Sequence, residues 1–160
     1  MKDDERKATA YHEAGHAVMG FVCNRPPKSV DIKPDCCGNA GHTCFADDSA
    51  PFKRYLDCSP EKRQYLQARV LIALAGTTAH DLMCPGREHD VGDKRDEDFA
   101  HQLLRESVIW DERNAALAGF KMQARKKLEG NWHKVEVVAC ALLTQDVLSV
   151  GEIQSLLSSD

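Results

Sequence analysis

Tyr11-His12-Glu13-Ala14-Gly15-His16-Ala17-Val18 is the stretch on which the reading of this chain turns. Around it, Ala8, Tyr11, His12, Gly15, Met19 and Val22 recur at helical spacing from about Asp4 to Cys23, and Asn24 with Pro26-Pro27 ends the pattern. Residues four apart on a helix lie one above the other, so His12 and His16 project from one face. Two imidazoles so placed can hold one Zn²⁺ at roughly 2.0–2.1 Å, and the arrangement His-Glu-x-x-His leaves Glu13 beside the ion, not on it. A carboxylate there can act as general base toward water, which is the chemistry of peptide hydrolysis. Small Ala14 and Gly15 read as low bulk beside an accessible ion, because Gly otherwise costs roughly 1 kcal/mol in mid-helix.

A catalytic zinc ordinarily has three protein ligands, so a third must come from elsewhere. The stretch Asp90-Val91-Gly92-Asp93-Lys94-Arg95-Asp96-Glu97-Asp98 offers several acids at a helix start. Spacing alone does not choose among them, and each taken singly reads as a helix-start charge facing water.

Outward from the histidine helix, Ser29 to Lys33 and Gly41 to Ala46 read as short strands joined by the turn-rich segment Pro34 to Ala40. Ser59-Pro60-Glu61 supplies an N-cap, a first-turn proline and a first-turn acid for a long helix through Met83. Its middle, Val70 to Ala75, is apolar on every side, which predicts a central, buried helix. Helical patterns follow at about Arg95–Trp110, Glu112–Glu129 and Trp132–Gln145, then at Gly151–Leu157 with Ser149 and Glu152 spaced as a capping box. The fold class expected is mainly α (α+β): a single helical domain over residues 1–160 with a small β-hairpin or sheet next to the zinc helix.

Composition narrows the function classes. With 160 residues, 42% of them hydrophobic and 29% charged, the chain is long enough for one real core and too apolar for disorder. The formal charge of −4 has the wrong sign for a domain that binds by neutralising phosphates, so nucleic acid is not an expected partner. No apolar run approaches the roughly 18–20 residues of a membrane helix. The first ten residues carry acids and lack a secretory apolar stretch. Seven cysteines without scaffold spacing fit reduced thiols, so the expected compartment is cytoplasmic.

Several separate blocks together resemble the protease domain of the FtsH-type ATP-dependent zinc metallopeptidases. Ala10 to Val18 is nearly letter for letter that family's zinc helix. Val30-Asp31-Ile32-Lys33-Pro34 followed by Gly41-His42-Thr43 resembles its strand pair, where Gly-Tyr-Thr is usual. Ile72 to Gly76 continuing to Ala79-His80-Asp81-Leu82 resembles the helix ending Gly-Gly-Arg-x-Ala-Glu-Glu-Leu, with His80 in place of a Glu and Thr77-Thr78 replacing part of Gly-Arg-x. Val138 to Leu143 and Leu148 to Ile153 resemble the closing helices.

In that family the third ligand is the Asp of Gly-Ala-Ser-Asn-Asp-Leu-x-x-Ala-x-x-Leu. Gly92 through Leu103 fits without a gap and puts Asp96 on the ligand. Asp98 is the rival, because Phe99 after it matches the apolar residue that Glu97 does not. The resemblance thus implies a zinc-dependent endopeptidase, with His12, His16 and Asp96 on Zn²⁺ and Glu13 as the catalytic base. It implies a polypeptide substrate and self-association. The 160 residues contain no Gly-x-x-x-x-Gly-Lys-Ser/Thr loop, so the expectation is a peptidase domain standing alone, with any ATPase a separate partner and with substrates that are already unfolded or flexible. The alternative is a zinc-stabilised, non-catalytic domain that binds peptides or partner subunits.

Cys36, Cys37, His42 and Cys44 fall within nine residues and raise a second metal site. Adjacent thiols serve one tetrahedral centre poorly, so loop or buried thiols are the expected reading. The strand Gly41 to Ala46 reads as sheet core or, following the resemblance, as an edge for an extended substrate. His80, His89, His101 and His133 have no metal spacing and read as structural or solvent-facing. Lys121, Arg125, Lys126 and Lys127 read as a solvated face.

Overall fold

A computed structural model describes residues 3–34, 40–46, 59–86, 91–105 and 113–158. The chain runs α1 (Asp3–Val22), β1 (Ser29–Asp31), β2 (His42–Cys44), α2 (Pro60–Met83), α3 (Val91–Arg105), α4 (Arg113–Glu129), α5 (Trp132–Gln145), β3 (Val147–Ser149) and α6 (Val150–Leu157). It is mainly helical with a small antiparallel sheet, the class expected from the pattern.

Helix α2 is the axis of the fold. Ser59 caps it, its Oγ accepting from the Lys62 N–H, and Pro60 occupies the first turn. Every residue from Val70 to Ala75 is buried, because α1, α3 and α4 all pack on this helix and leave it no watered face. Met19 and Val18 of α1, Leu103 and Leu104 of α3, and Leu128 of α4 are fully buried around it, each worth about 1.5–3 kcal/mol of transfer free energy.

The contact between α1 and α2 is close enough that a Cβ at Gly15 would stand 2.6 Å from both the Ala75 carbonyl oxygen and the Ala79 Cβ. This corrects the expectation for Gly15. Its missing side chain serves helix packing, not access to an ion, and its conformational cost is offset by the approach of two backbones.

The hairpin expected from the strand patterns is present, with Ser29 opposite Cys44 and Asp31 opposite His42. The third strand was not expected. β3 pairs with the other side of β1, Ser29 opposite Ser149 and Asp31 opposite Val147, giving the order β2-β1-β3. Asp146, in the left-handed region at φ 60°, ends α5 and turns the chain into this strand. The Asp146 carbonyl accepts from the Ile32 N–H at 2.9 Å, and its carboxylate meets Arg6 of α1. Ser149 then caps α6: its N–H donates to Glu152 Oε2 at 2.8 Å while the Glu152 N–H donates back to its Oγ, the capping box read from the spacing.

The largest difference from expectation lies at α3, which starts at Val91 and not near Arg95. Gly92 among acids reads as a loop, yet the first turn holds because Asp93 is buried against α2, where its carbonyl accepts from Thr77 Oγ1 at 3.4 Å. Among the described residues, no helix is long and apolar enough to cross a membrane.

Candidate metal centre

Three helices converge on one point. α1 presents His12 and His16 one turn apart toward the crossing with α2, and α3 brings Asp96 to the same place. Asp96 Oδ2 lies 2.9 Å from His12 Nε2 and 3.0 Å from His16 Nε2, and the two imidazole nitrogens are 3.1 Å apart. Asp98, the rival acid, is exposed and outside this cluster, while the neighbouring Glu97 binds Lys121 Nζ at 2.6 Å. Phe99, the residue that spoke for Asp98, stacks under the Arg69 guanidinium 5.2 Å from its ring centre.

Each imidazole has its second nitrogen engaged. His16 Nδ1 is 2.7 Å from the Ile72 carbonyl oxygen. A carbonyl only accepts, so Nδ1 donates to it and Nε2 is the nitrogen turned to the cluster. His12 Nδ1 faces Asp93 Oδ1 at 3.4 Å. Burial pulls the His12 imidazole down, but Asp93, Asp96 and Glu13 outweigh it and raise the ring to about 10. His16, likewise lowered by burial, is raised on balance by Asp96. For Asp96, burial pushes the carboxyl up, and the two imidazoles overcome this and hold it well below the usual carboxylate range.

Below the cluster sits Gly76 of α2. A Cβ there would stand 2.4 Å from His16 Nε2 and 2.5 Å from His12 Nε2. Bare backbone at this crossing therefore leaves a space bounded by two imidazole nitrogens and a carboxylate oxygen. His12, His16 and Asp96 would hold an ion here, and two nitrogens with one oxygen are donors suited to Zn²⁺.

Glu13 is buried and fixed from the sheet: Thr43 Oγ1 donates to its Oε2 at 2.6 Å. Gly41 permits this approach, since a Cβ there would meet Glu13 Cγ at 3.0 Å and the Asp31 carbonyl oxygen at 2.9 Å. Chemically, the assembly offers a cation-binding trio with an oriented carboxylate next to it.

Sequence reasoning missed Asp93, fully buried despite its place in an acidic helix start, and the position of His80, whose Nδ1 lies 3.8 Å from Asp93 Oδ1. Asp93 lies three residues before Asp96, and only the placement of α3 reveals that it faces inward. In the segment of the proposed second metal site, Cys36 and Cys37 fall outside the described residues; His42 is exposed, and Cys44 is half-buried with its thiol against the Phe45 carbonyl.

The sequence profile of peptidase family M41 matches residues 1–110, which include His12, Glu13, His16, Asp93 and Asp96. The chain belongs to peptidase family M41. Among its relatives, the ATP-dependent zinc metalloprotease FtsH 3 of Conexibacter woesei is 32% identical over 97 residues, covering 57% of this chain and 12% of that protein. The ATP-dependent zinc metalloprotease FtsH of Pseudomonas putida is 33% identical over 112 residues, 65% of this chain and 16% of that protein. The chloroplastic FTSH 5 of Arabidopsis thaliana is 27% identical over 110 residues, 68% of this chain and 15% of that protein. The M41 chain thus spans less than one-sixth of the length of these relatives. The profile match ends before α4, so every residue of the candidate centre lies within it.

Proposed function

We propose that the 160 residues form one zinc-dependent endopeptidase domain that cleaves unfolded or flexible polypeptides, with His12, His16 and Asp96 holding Zn²⁺ and Glu13 as general base. The observation that carries this reading is the meeting of His12 Nε2, His16 Nε2 and Asp96 Oδ2 within 2.9–3.1 Å over the bare backbone of Gly76. When bound, Zn²⁺ supplies a Lewis acid that polarises the scissile carbonyl and acidifies water. Glu13 takes the proton of the attacking water and delivers it to the leaving amine, so that one group acts as base and then as acid. Thr43 fixes Glu13 Oε2 and leaves Oε1 for that traffic. The outer side of β2, the end strand of the sheet, is placed to align an extended substrate beside Glu13 through main-chain hydrogen bonds.

Protons compete with the ion for this site. The His12 imidazole, raised to about 10, is charged at neutral pH in the metal-free chain, and its neighbour His16 is raised as well, whereas ligation requires both neutral. Zinc uptake at pH 7 is expected to release at least the His12 proton, read from the dependence of the calorimetric heat on buffer ionisation enthalpy; no buffer dependence would contradict it. Without metal, the His12 contribution to stability is full below pH 6.5 and lost as the pH rises toward about 10, while that of Asp96 is present above pH 3.8 and lost in acid.

The second reading, a non-catalytic zinc-stabilised scaffold, draws on His80 standing where the family pattern has a Glu. Zinc analysis followed by digestion of unfolded casein separates the two. The peptidase reading expects one zinc per chain and cleavage that a chelator stops and zinc restores; one zinc with intact casein leaves the scaffold. Among the described residues, Cys23, Cys44, Cys84 and Cys140 are free thiols.

A further inference from the structure

Two buried ionisable groups beside the trio have no part in the reaction just described. Asp93, in the first turn of α3, is fully buried, and His80 of α2 is buried against it. A carboxylate taken out of water needs donors or cations around it. Asp93 Oδ1 lies between two imidazoles, 3.4 Å from His12 Nδ1 and 3.8 Å from His80 Nδ1, and the His80 nitrogen has no hydrogen-bond partner among the described residues. The His12 and His80 rings stand edge to face at 6.5 Å. Because His12 Nε2 belongs to the trio, its Nδ1 is the nitrogen left to carry a proton, and Asp93 Oδ1 is the carboxylate oxygen facing it at 3.4 Å. A ligating histidine held through its other nitrogen by a carboxylate keeps its tautomer and ring orientation and gains basicity.

We propose that Asp93 is a positioning residue for the metal centre: it grips His12 through Nδ1 and aims Nε2 into the trio, with His80 as a second donor to the same carboxylate. This rests on the zinc reading of His12, His16 and Asp96. The residue types fit an exchange of places. His80 stands where the family pattern has a Glu, and Asp93 where Gly-Ala-Ser-Asn-Asp has its Ala, so in this chain the carboxylate stands on α3 and an imidazole on α2.

The test measures Zn²⁺ affinity of the 160-residue chain by competition with a chromophoric chelator, alongside the visible spectrum of the Co²⁺-loaded protein. Asp93→Ala, and Asp93→Asn, which keeps the shape and removes the charge, are expected to weaken zinc about 10–100-fold and to shift the cobalt bands. The double variant Asp93→Ala/His80→Glu, which returns a carboxylate to α2, is expected to recover most of the affinity. Asp93→Asn with wild-type affinity and spectrum, while His16→Ala abolishes binding, overturns this inference and leaves the zinc site standing. His16→Ala binding as tightly as wild type overturns both. A stoichiometry of two zincs, one of them lost in His80→Ala, also overturns the proposal, because His12, His80 and Asp93 would then be ligands of a second ion.

Discussion

Replacing Glu13 with Gln is expected to slow cleavage of unfolded casein by about 10²–10⁴-fold, the range a positioned proton-transfer group supplies, with zinc stoichiometry unchanged. The two side chains have the same shape. An amide oxygen can accept from Thr43 as the carboxylate does at 2.6 Å, so the strand should stay docked on α1. The variant loses only the ability to take and return a proton. That loss is confined to the transition state, so kcat should fall with little change in KM, corresponding to roughly 3–5.5 kcal/mol of barrier. Zinc per chain and the casein rate, measured on one preparation, check it. Full activity in the variant would remove Glu13 from the reaction, and loss of zinc along with activity would make its role structural.

Local physics made much of this molecule legible from residue types alone. The serine before α2 and the proline that opens it, the apolar girdle Val70 to Ala75 and the Ser149–Glu152 box are short-range signals, and each appears where the pattern put it. The histidine pair is legible for the same reason, since four residues make one turn. Beyond one helix the signals fail for identifiable reasons. Asp96 and Asp98 are chemically alike and two apart, so only the seating of α3 on α2 turns one to the histidines and the other to water. Asp93 in an acidic helix start looks like a solvated charge until that seating buries it. β3 is three residues between two helices, too short for any periodicity, and exists because the edge of β1 accepts it. The two helix glycines show the limit most clearly. Gly15, next to the histidines in sequence, answers to packing, whereas Gly76, sixty residues from His16, is the one beneath their nitrogens.

Gly76→Ala is therefore expected to cost the chain its zinc while sparing its fold. A methyl at this place would come within 2.4 Å of His16 Nε2, 2.5 Å of His12 Nε2 and 2.7 Å of His12 Cε1, separations that real Cβ atoms essentially never show. With both Nε2 atoms committed to an ion the rings would have no room to retreat, since His16 is then held at Nδ1 by the Ile72 carbonyl and α1 cannot lift without opening the Gly15 contact with Ala75 and Ala79. Overpacking of this kind costs about 1–3 kcal/mol or more, equivalent to roughly 5–150-fold in affinity before counting the volume the methyl removes from the ion. Opposing this, alanine is the better helix former by about 0.5–1 kcal/mol. The two effects act on different observables. The metal-free variant should unfold near the wild-type temperature, because imidazoles without an ion to share can rotate away from the methyl. The zinc-dependent increase in melting temperature, large in the wild type because the ion binds only the folded chain, should shrink or vanish. Thermal melts with and without zinc read both quantities in one experiment. A variant that retains one tightly held zinc and full casein cleavage would mean that the space above Gly76 is not where the ion sits.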